Sequence, residues 1–564
     1  MNILYKRLQP ILLLLLINVF MPCFTFAQQI NKHSIFNRQD TLRGSNGPGR
    51  LGWNVLHYDI TVQPDYSTKT IRGINIIRFY DEGAKMMQID MQEPMIVDSI
   101  ISENRSLTLT REGNVYWAAL RDTNAMYKIK PGPASVTVYF HGKPREAKKA
   151  PWDGGWMWKK DKNGNPWMTV ACQGLGASVW YPCKDYLGDE PDSGAILRMI
   201  VPDSLMAVGN GRMIEKKLLD NKLAMYSWQV KNPINNYNII PYIGKYSHFS
   251  EIYNGEKGKL NMDYWVLDYN LDKAKKQFTD APRMMKAFEH WFGPYPFYED
   301  GYKLVEAPYL GMEHQSAIAY GNGFQNGYMG NDRSGSGWGM KFDFIIIHES
   351  GHEWFANNIT INDIADMWVH ESFTNYSETL FTEYYYGKEA ANDYNAGNRL
   401  IISNDSPIIG PYGVNKEGSG DMYDKGGNML HMIRQWINND EKFRNILRGL
   451  NSTFYHQTVT TSQIENYLSK KSGKDLSKIF DQYLRQKNIP VMEYKIAGKQ
   501  LHYRWNNCVT GFNLPIKVSF SEDEKKDKWI FPVPSWKKIK LPDGFNKQTI
   551  KLNRNFYVQL KKVS

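Results

Sequence analysis

Cysteine is scarce in this sequence, with four residues in a chain of 564. Cys23 lies in an apolar leader, so Cys172, Cys183 and Cys508 are the three that concern the folded protein. An odd set of three is not a disulfide framework, although Cys172 and Cys183 could pair across a hairpin. We therefore expect side-chain packing, and not crosslinking, to hold the fold together.

Long apolar runs are also few, and the most prominent lies within residues 1–27. Lys6 and Arg7 precede an apolar stretch over residues 11–20, and a small-x-small pattern ends at Ala27. This arrangement is typical of a secretory signal peptide. A membrane anchor needs ~20 apolar residues, which neither this stretch nor any other supplies. We predict a secreted or periplasmic protein that is cleaved near Ala27 and has no stable membrane insertion.

The sequence contains no basic arm, no Arg-rich helix and no repeat of fixed period. Its 69 Lys and Arg exceed its 58 Asp and Glu, for a net charge of +11, but they are scattered along the chain. This distribution favours solubility over nucleic-acid binding, which we do not expect. Glycine and proline, at 45 and 26 residues, show no excess that would indicate disorder or a fibre. The length predicts a globular protein of about three domains.

The period of the hydrophobic pattern changes twice along the chain. Residues 28–245 alternate with a period of two, which predicts an N-terminal antiparallel β domain. Residues 246–488 carry apolar stripes at helical spacing, which predicts a mainly helical domain. Alternation returns over residues 489–564 and predicts a small C-terminal β-sandwich. The expected fold class is therefore multidomain α+β.

The strongest chemical signal is the sequence HESGH at residues 348–352, which follows an apolar run. Residues four apart on a helix project from one face, so His348 and His352 could bind a single Zn²⁺ at ~2.0–2.1 Å. Glu349 would then lie beside a water on the metal. Because so short a pattern also recurs by chance, a surface helix with two solvated histidines is the alternative.

A third metal ligand must come from another part of the chain. Glu371, separated from His352 by 18 residues, stands in the sequence WVHESF and would be supplied by a second, antiparallel helix. The zinc class with Gly and His three and six positions after the second His is excluded, because Phe355 and Asn358 occupy those positions. We predict one zinc per chain, bound by His348, His352 and Glu371.

With these motifs the chain resembles the aminopeptidase N family of zinc peptidases, the gluzincin group that also contains leukotriene hydrolase. The shared segments are FGPYP at 292–296, YLGMEH at 309–314, HESGHEWF at 348–355, WVHESF at 368–373, YDKG at 423–426, and CQ and YPCKD at 172–173 and 181–185. The resemblance extends over nearly the whole mature chain. It implies a thermolysin-like catalytic domain over residues 246–488. Two residues depart from the family pattern, since His314 replaces the usual Asn and Leu310 the first Gly of that loop.

The family implies a role for each matching residue of the reaction. Glu349 would take the proton of a metal-activated water and later deliver it to the leaving amine. Tyr423, in the YDKG motif, would donate a hydrogen bond to the oxyanion. The alternative for Tyr423 is an ordinary aromatic residue beside a helix start.

The YLGMEH segment is similar to the family's exopeptidase loop. Glu313, together with Gly311 and Met312, would hold the free α-amine of the substrate, and Gln173 of the β domain would add a neutral acceptor. The alternative for Glu313 is a loop carboxylate in a surface salt bridge. The resemblance thus implies a zinc-dependent aminopeptidase that hydrolyses the N-terminal peptide bond of peptides with a free N-terminus.

Three other functions are alternatives to this one. An epoxide hydrolase is implied only by kinship with leukotriene hydrolase, and a non-catalytic peptide-binding module would require a broken ligand set. A thermolysin-type endopeptidase would not need Glu313. The sequence has no counterpart of the family's large C-terminal helical domain, so we expect a less enclosed cleft.

Several neighbouring residues have two possible interpretations. Glu378 lies two helical turns after Glu371, where it could orient a ligand histidine or be solvated. His370 and His431 are expected to be packing residues and not ligands. Residues 321–339 contain seven glycines in 19 positions, which predicts either a mobile lid over the cleft or a flexible connector.

Overall fold

The computed structural model describes residues 36–121, 131–521, 527–543, 545 and 549–564. The signal peptide predicted over residues 1–27 lies outside these ranges. Within them, no helix has both the length and the apolar character needed to cross a membrane.

The first unit is a β domain of three sheets. It begins with helix α1 (Arg38–Gly44). Its strands are β1 (Trp53–Asp65), β2 (Thr70–Asp81), β3 (Met86–Asp90), β4 (Ile96–Ser102), β5 (Arg105–Ser106), β6 (Leu109–Glu112), β7 (Val115–Ala119), β8 (Gly132–Gly142), β9 (Gly155–Lys160), β10 (Pro166–Ala171), β11 (Ala195–Pro202), β12 (Met206–Val208), β13 (Arg212–Leu219), β14 (Leu223–Val230) and β15 (Tyr242–Gly244). The largest sheet has the order β13-β14-β11-β1-β2-β8-β4-β5, and smaller sheets have the orders β12-β15-β10-β9 and β3-β7-β6. The pairs are antiparallel except β1 with β11, which run parallel.

The second unit is mainly helical and contains the predicted metal ligands. Its helices are α2 (Leu271–Gln277), α3 (Asp280–Phe292), α4 (Phe344–Gly351), α5 (Trp368–Tyr386), α6 (Lys388–Gly397), α7 (Asp424–Ile437), α8 (Asp440–Thr453), α9 (Thr461–Ser472) and α10 (Ser477–Arg485). Its strands are β16 (Tyr246–Gly255), β17 (Gly258–Leu267), β18 (Tyr302–Glu306), β19 (Gly311–Met312), β20 (Ile318–Tyr320), β21 (Ile359–Ile361) and β22 (Gln457–Val459). Five of these strands form a sheet in the order β16-β17-β18-β20-β19.

Two strands of this five-stranded sheet, β18 and β20, are buried on both faces. Leu304 and Ile318 belong to the hydrophobic cluster of the helical unit. Val305 and Ala319, the next residues along the same strands, belong to the cluster of the β domain. Because successive side chains of a strand point to opposite faces, the sheet forms a wall between the two cores.

The third unit is a small β domain of two sheets. Its strands are β23 (Val491–Ala497), β24 (Gln500–Asn506), β25 (Ile516–Ser519), β26 (Lys528–Ile530), β27 (Lys537–Lys540), β28 (Lys551–Leu552) and β29 (Gln559–Lys562). They pair in the orders β27-β24-β23-β29 and β26-β25-β28. The predicted multidomain fold class, with β domains on either side of a helical one, is confirmed.

The three cysteines of the described chain are free thiols. Cys172 and Cys183 are fully buried and Cys508 is partly buried. The hairpin disulfide that the sequence left open is therefore absent, and buried aromatic side chains fill this part of the β domain, as expected for a core held by packing. Trp156 and Trp180 lie there with ring centroids 6.1 Å apart.

Candidate active site

Helix α4 carries His348, and His352 caps its C-terminal end one turn later. Its N-terminus is capped by Asp343, whose Oδ1 accepts hydrogen bonds from the amides of Ile345 (3.1 Å) and Ile346 (3.4 Å). Every residue of the helix is buried, so its orientation is fixed by packing against α5 and the wall sheet. The rings of His348 and His352 lie with centroids 5.0 Å apart. The alternative of a solvated surface helix is therefore wrong.

Glu371, in the first turn of α5, completes a cluster with these histidines. One ligand atom from each of the three residues lies within 4.8 Å of the others. Oε2 of Glu371 is 3.4 Å from Nε2 of His352 and 3.7 Å from Nε2 of His348. This buried oxygen makes no hydrogen bond among the described residues. A carboxylate oxygen that faces two imidazole nitrogens in this way fits a tetrahedral zinc site with one position left for water or substrate.

The outer nitrogens of both rings have fixed partners. Nδ1 of His348 lies 2.7 Å from Oε1 of Glu378, whose Oε2 accepts a hydrogen bond of 2.6 Å from the hydroxyl of Tyr394. Nδ1 of His352 lies 3.0 Å from the carbonyl oxygen of Phe355. With Nδ1 donating to these oxygens, Nε2 of each ring is free to bind a metal. Glu378 is fully buried, so its solvated alternative is wrong.

The Phe355 carbonyl reaches His352 because the backbone changes direction shortly after the helix. Helix α4 ends at Gly351, and in the wide turn over Glu353–Asn357 the residues Phe355 and Ala356 have non-helical backbone angles. Ala356 has φ of 152°, a left-handed conformation that few residues other than glycine adopt. The turn therefore aims the Phe355 carbonyl back at the ring.

Glu349 lies in the cluster between the metal ligands and the exopeptidase loop. Burial raises its pKa to about 7, although the two histidines oppose this shift. A carboxylate with such a pKa can both accept and return a proton near neutral pH. A Cβ at Gly311 would lie 2.7 Å from Oε1 of Glu349, so only glycine leaves this carboxylate room.

Glu313 is held at a junction between the two domains. The hydroxyl of Tyr237 donates to its Oε1 at 2.9 Å, and the side-chain amide of Gln173 donates to the same oxygen. Burial raises the pKa of Glu313, and the neighbouring Glu371 adds to the rise while His352 opposes it. Glu313 is only 3% exposed, so its alternative as a surface salt bridge is wrong. Tyr237 was not found from the sequence, because it lies between strands in a segment without a motif.

The predicted site residues share one cavity of about 530 Å³. It brings together His348, Glu349, His352, Glu371, Tyr423, Glu313, Gln173, Gly311 and Met312. The ring centroid of Tyr423, directly before α7, lies 6.0 Å from that of His348. Arg333, Phe344 and Glu417 also line the cavity and were not singled out in the sequence.

The other histidines near the site make structural contacts. Nε2 of His370 accepts a hydrogen bond of 3.1 Å from the amide of Ile361. Nδ1 of His431 lies 3.0 Å from the hydroxyl of Tyr376. His314, which replaces the usual Asn, is buried with Nδ1 2.6 Å from the hydroxyl of Tyr242. Burial lowers the pKa of His314 to about 3, so this ring is neutral.

The segment that contains the site is similar to a known family of proteins. Residues 277–483 match the model of the peptidase family M1 domain. "Probable aminopeptidase 2" of Sulfurisphaera tokodaii is 20% identical over 440 residues, which cover 75% of this chain and 53% of that protein. Leukotriene A-4 hydrolase of Xenopus laevis is 23% identical over 406 residues, 66% of this chain and 62% of that one. The chain spans about half the length of the first curated relatives it matches.

A solved structure has the same fold. It is a mutant M1 zinc metallopeptidase from Deinococcus radiodurans bound to a Tyr-Ser-Ala substrate. It superimposes with a TM-score of 0.66 at 17% identity and covers 78% of this chain and 96% of its own. At this identity the likeness concerns the fold.

Proposed function

We propose that this chain, whose residues 277–483 match the peptidase family M1 domain, is a zinc-dependent aminopeptidase that hydrolyses the N-terminal peptide bond of peptides. One observation carries the proposal. The cavity that contains the metal-ligand cluster also contains Glu313, a buried carboxylate fixed where two domains meet. A binding module would not need Glu349 beside the cluster, and an endopeptidase would not need Glu313.

In this proposal, His348, His352 and Glu371 hold one zinc ion. Zinc at such a site lowers the pKa of a water toward about 7 and polarises a carbonyl group. Glu349 takes a proton from the attacking water on its carboxylate and delivers it to the leaving amine. Its pKa of about 7 suits both transfers. Glu378 and the Phe355 carbonyl keep the two imidazoles in the orientation that binding requires.

Tyr423 is proposed to stabilise the oxyanion. Burial raises the pKa of its hydroxyl well above the usual value, and nearby carboxylates add to the rise. The hydroxyl therefore keeps its proton and can donate it in a hydrogen bond. Such a donor typically contributes about 10²–10³ in rate.

Glu313 is proposed to fix the register of the substrate. Its Oε1 is already engaged by Tyr237 and Gln173, which leaves Oε2 to accept from the ammonium of a peptide N-terminus. With the amine held there, only the first peptide bond reaches the metal ligands. The leader predicted over residues 1–27 leads us to propose a secreted or periplasmic location, where such peptides would be the substrates.

The exopeptidase assignment predicts a strong effect of N-acetylation. The wild type is expected to cleave an alanine-initiated peptide and to ignore its N-acetylated form. Glu313→Ala should lose most activity on the free amine and most of the discrimination, because the anchoring carboxylate is gone. The measurement is kcat/KM for the matched peptide pair on both proteins.

Glu313→Gln is the matched control, since it keeps the shape of the side chain and removes its charge. It should lose affinity for the free amine as Glu313→Ala does, with less disturbance of Tyr237 and Gln173. Equal cleavage of the free and acetylated peptides by the wild type would make the protein an endopeptidase.

Gly311→Ala is expected to impair turnover more than zinc binding. Its new Cβ would lie 2.7 Å from Oε1 of Glu349 and 2.8 Å from Cγ2 of Ile345, so the carboxylate must move. We expect a loss of about tenfold or more in kcat, since small misplacements of a reacting group are costly. Kinetics and zinc content would be measured together, and wild-type kcat would contradict this steric argument.

A further inference from the structure

Among the described residues, Arg333 is the only lysine or arginine that lines the active-site cavity. The other charged lining groups, besides the two histidines, are the carboxylates of Glu313, Glu349, Glu371 and Glu417. The guanidinium therefore stands out in an acidic cleft. The substrate group that such a cation binds most strongly is a negatively charged one.

Arg333 lies at the opposite end of the site from the amine anchor. Its Cζ is 5.1 Å from the ring centroid of Phe344, and that ring stacks on His348 with centroids 5.2 Å apart. Glu313 instead has a carboxylate oxygen within 4.8 Å of ligand atoms of Glu349 and His352. Glu313 therefore adjoins the His352 end of the cluster, and Arg333 lies beyond the ring that stacks on His348.

The guanidinium of Arg333 has N–H donors available for a ligand. Nη2 of Arg333 donates to Oδ2 of Asp424 at 3.0 Å. In the part of the chain that the structure describes, its Nε and Nη1 make no hydrogen bond, and the side chain is 24% exposed. Arginine presents five N–H groups in a planar fork that matches a carboxylate. A second carboxylate can therefore bind while the pair with Asp424 persists.

The loop that carries Arg333 is tied in place by its own polar contacts. Oδ1 of Asp332 accepts hydrogen bonds from the amide (3.0 Å) and the hydroxyl (2.7 Å) of Ser334. The guanidinium packs over Tyr328 at 5.5 Å as well as over Phe344. Its position is thus set before any ligand binds, which lowers the entropy lost on binding.

We propose that Arg333 binds the free α-carboxylate of short peptides, so that the enzyme prefers di- and tripeptides. The inference rests on the proposed function, because it places the substrate amine at Glu313. An extended chain spans about 3.3–3.6 Å per residue, so the two ring contacts put Arg333 within about three residues of His348. A peptide held by its amine at one end and its carboxylate at the other can have only a few residues.

Arg333 has a structural alternative, in which it serves only to hold Asp424. Asp424 directly follows Tyr423 and begins α7, so loss of the pair could displace the tyrosine. In that case substitution of Arg333 would weaken every substrate equally. The charge at the C-terminus of the peptide separates the two roles.

The test measures binding of trialanine and of trialanine amide to zinc-loaded protein in the Glu349→Gln background, where hydrolysis does not interfere. With Arg333 intact, the free acid should bind about ten- to hundredfold more tightly than the amide, as expected for charge-assisted hydrogen bonds. Adding Arg333→Gln should abolish this preference. Arg333→Lys should keep part of it, because the charge remains without the fork.

Asp424→Asn is the matched control. It removes the partner of Arg333 and should leave the preference for the free acid in place. Equal binding of acid and amide with Arg333 intact would overturn the proposal. Tight binding of an amidated peptide with an acidic second residue would also overturn it, because Arg333 would then bind an acidic side chain and not the C-terminal carboxylate. Because binding is measured apart from turnover, an inactive wild type would refute the proposed activity and leave this comparison valid.

Discussion

Glu349→Gln is expected to retain zinc and to lose at least about 10² in kcat. The amide has nearly the shape of the carboxylate but cannot accept a proton from water, and general-base catalysis contributes typically 10²–10⁴ in rate. Glu349 makes no contact that the fold requires, since it faces the cavity beside Gly311. The measurement is single-turnover kinetics on an alanine-initiated peptide, together with zinc content.

Tyr423→Phe provides the comparison. It should lose less, because it removes one hydrogen-bond donor and leaves the metal ligands and the base in place, and it should change substrate affinity little. Near wild-type turnover in Glu349→Gln would show that another group accepts the proton. Loss of zinc from Glu349→Gln would show instead that the carboxylate acts as a ligand.

His348→Ala is expected to lose the metal. It removes one of the three proposed ligands and leaves Oε1 of Glu378, which lies 2.7 Å from His348 Nδ1, without that partner. Zinc measured by elemental analysis after dialysis should fall from one per chain toward zero, with activity lost in parallel. Thermal stabilisation by added zinc should disappear as well, because the metal stabilises only the state that binds it.

His431→Asn is the control for that experiment. His431 is buried in the same domain but contacts Tyr376 and Asn555 instead of the cluster. It should retain one zinc per chain. Full zinc content in His348→Ala would refute the ligand set.

The sequence predicts the proposed metal ligands because they stand in short motifs with a recognisable spacing. His348 and His352 are four residues apart, so helix geometry brings them together. Glu371 stands in a motif of its own, on the helix that packs against α4. Glu378 follows from the same geometry, two turns along α5. Whether Glu378 orients His348 or is solvated depends on its burial. The sequence position alone does not show whether other side chains cover it.

Residues contributed by tertiary contact are harder to find. Tyr237 reaches Glu313 from the β domain across 76 positions of sequence. Arg333 lies in a glycine-rich segment that the sequence identifies only as a lid or a connector. The Phe355 carbonyl acts on His352 through a backbone turn that no side-chain pattern encodes. The five-stranded sheet is also hard to predict, since β18, β19 and β20 are only five, two and three residues long.

The wall sheet has a consequence for how the protein would respond to damage. Leu304 faces the helical core and Val305 the β core, so loss of either core exposes one face of a shared layer. We therefore expect that neither unit folds stably as a separate fragment. Glu313 directly follows β19 on that layer, and Gln173 meets it from the other side. Partial unfolding should therefore abolish the proposed aminopeptidase activity altogether. It should not produce a protease that cleaves internal peptide bonds.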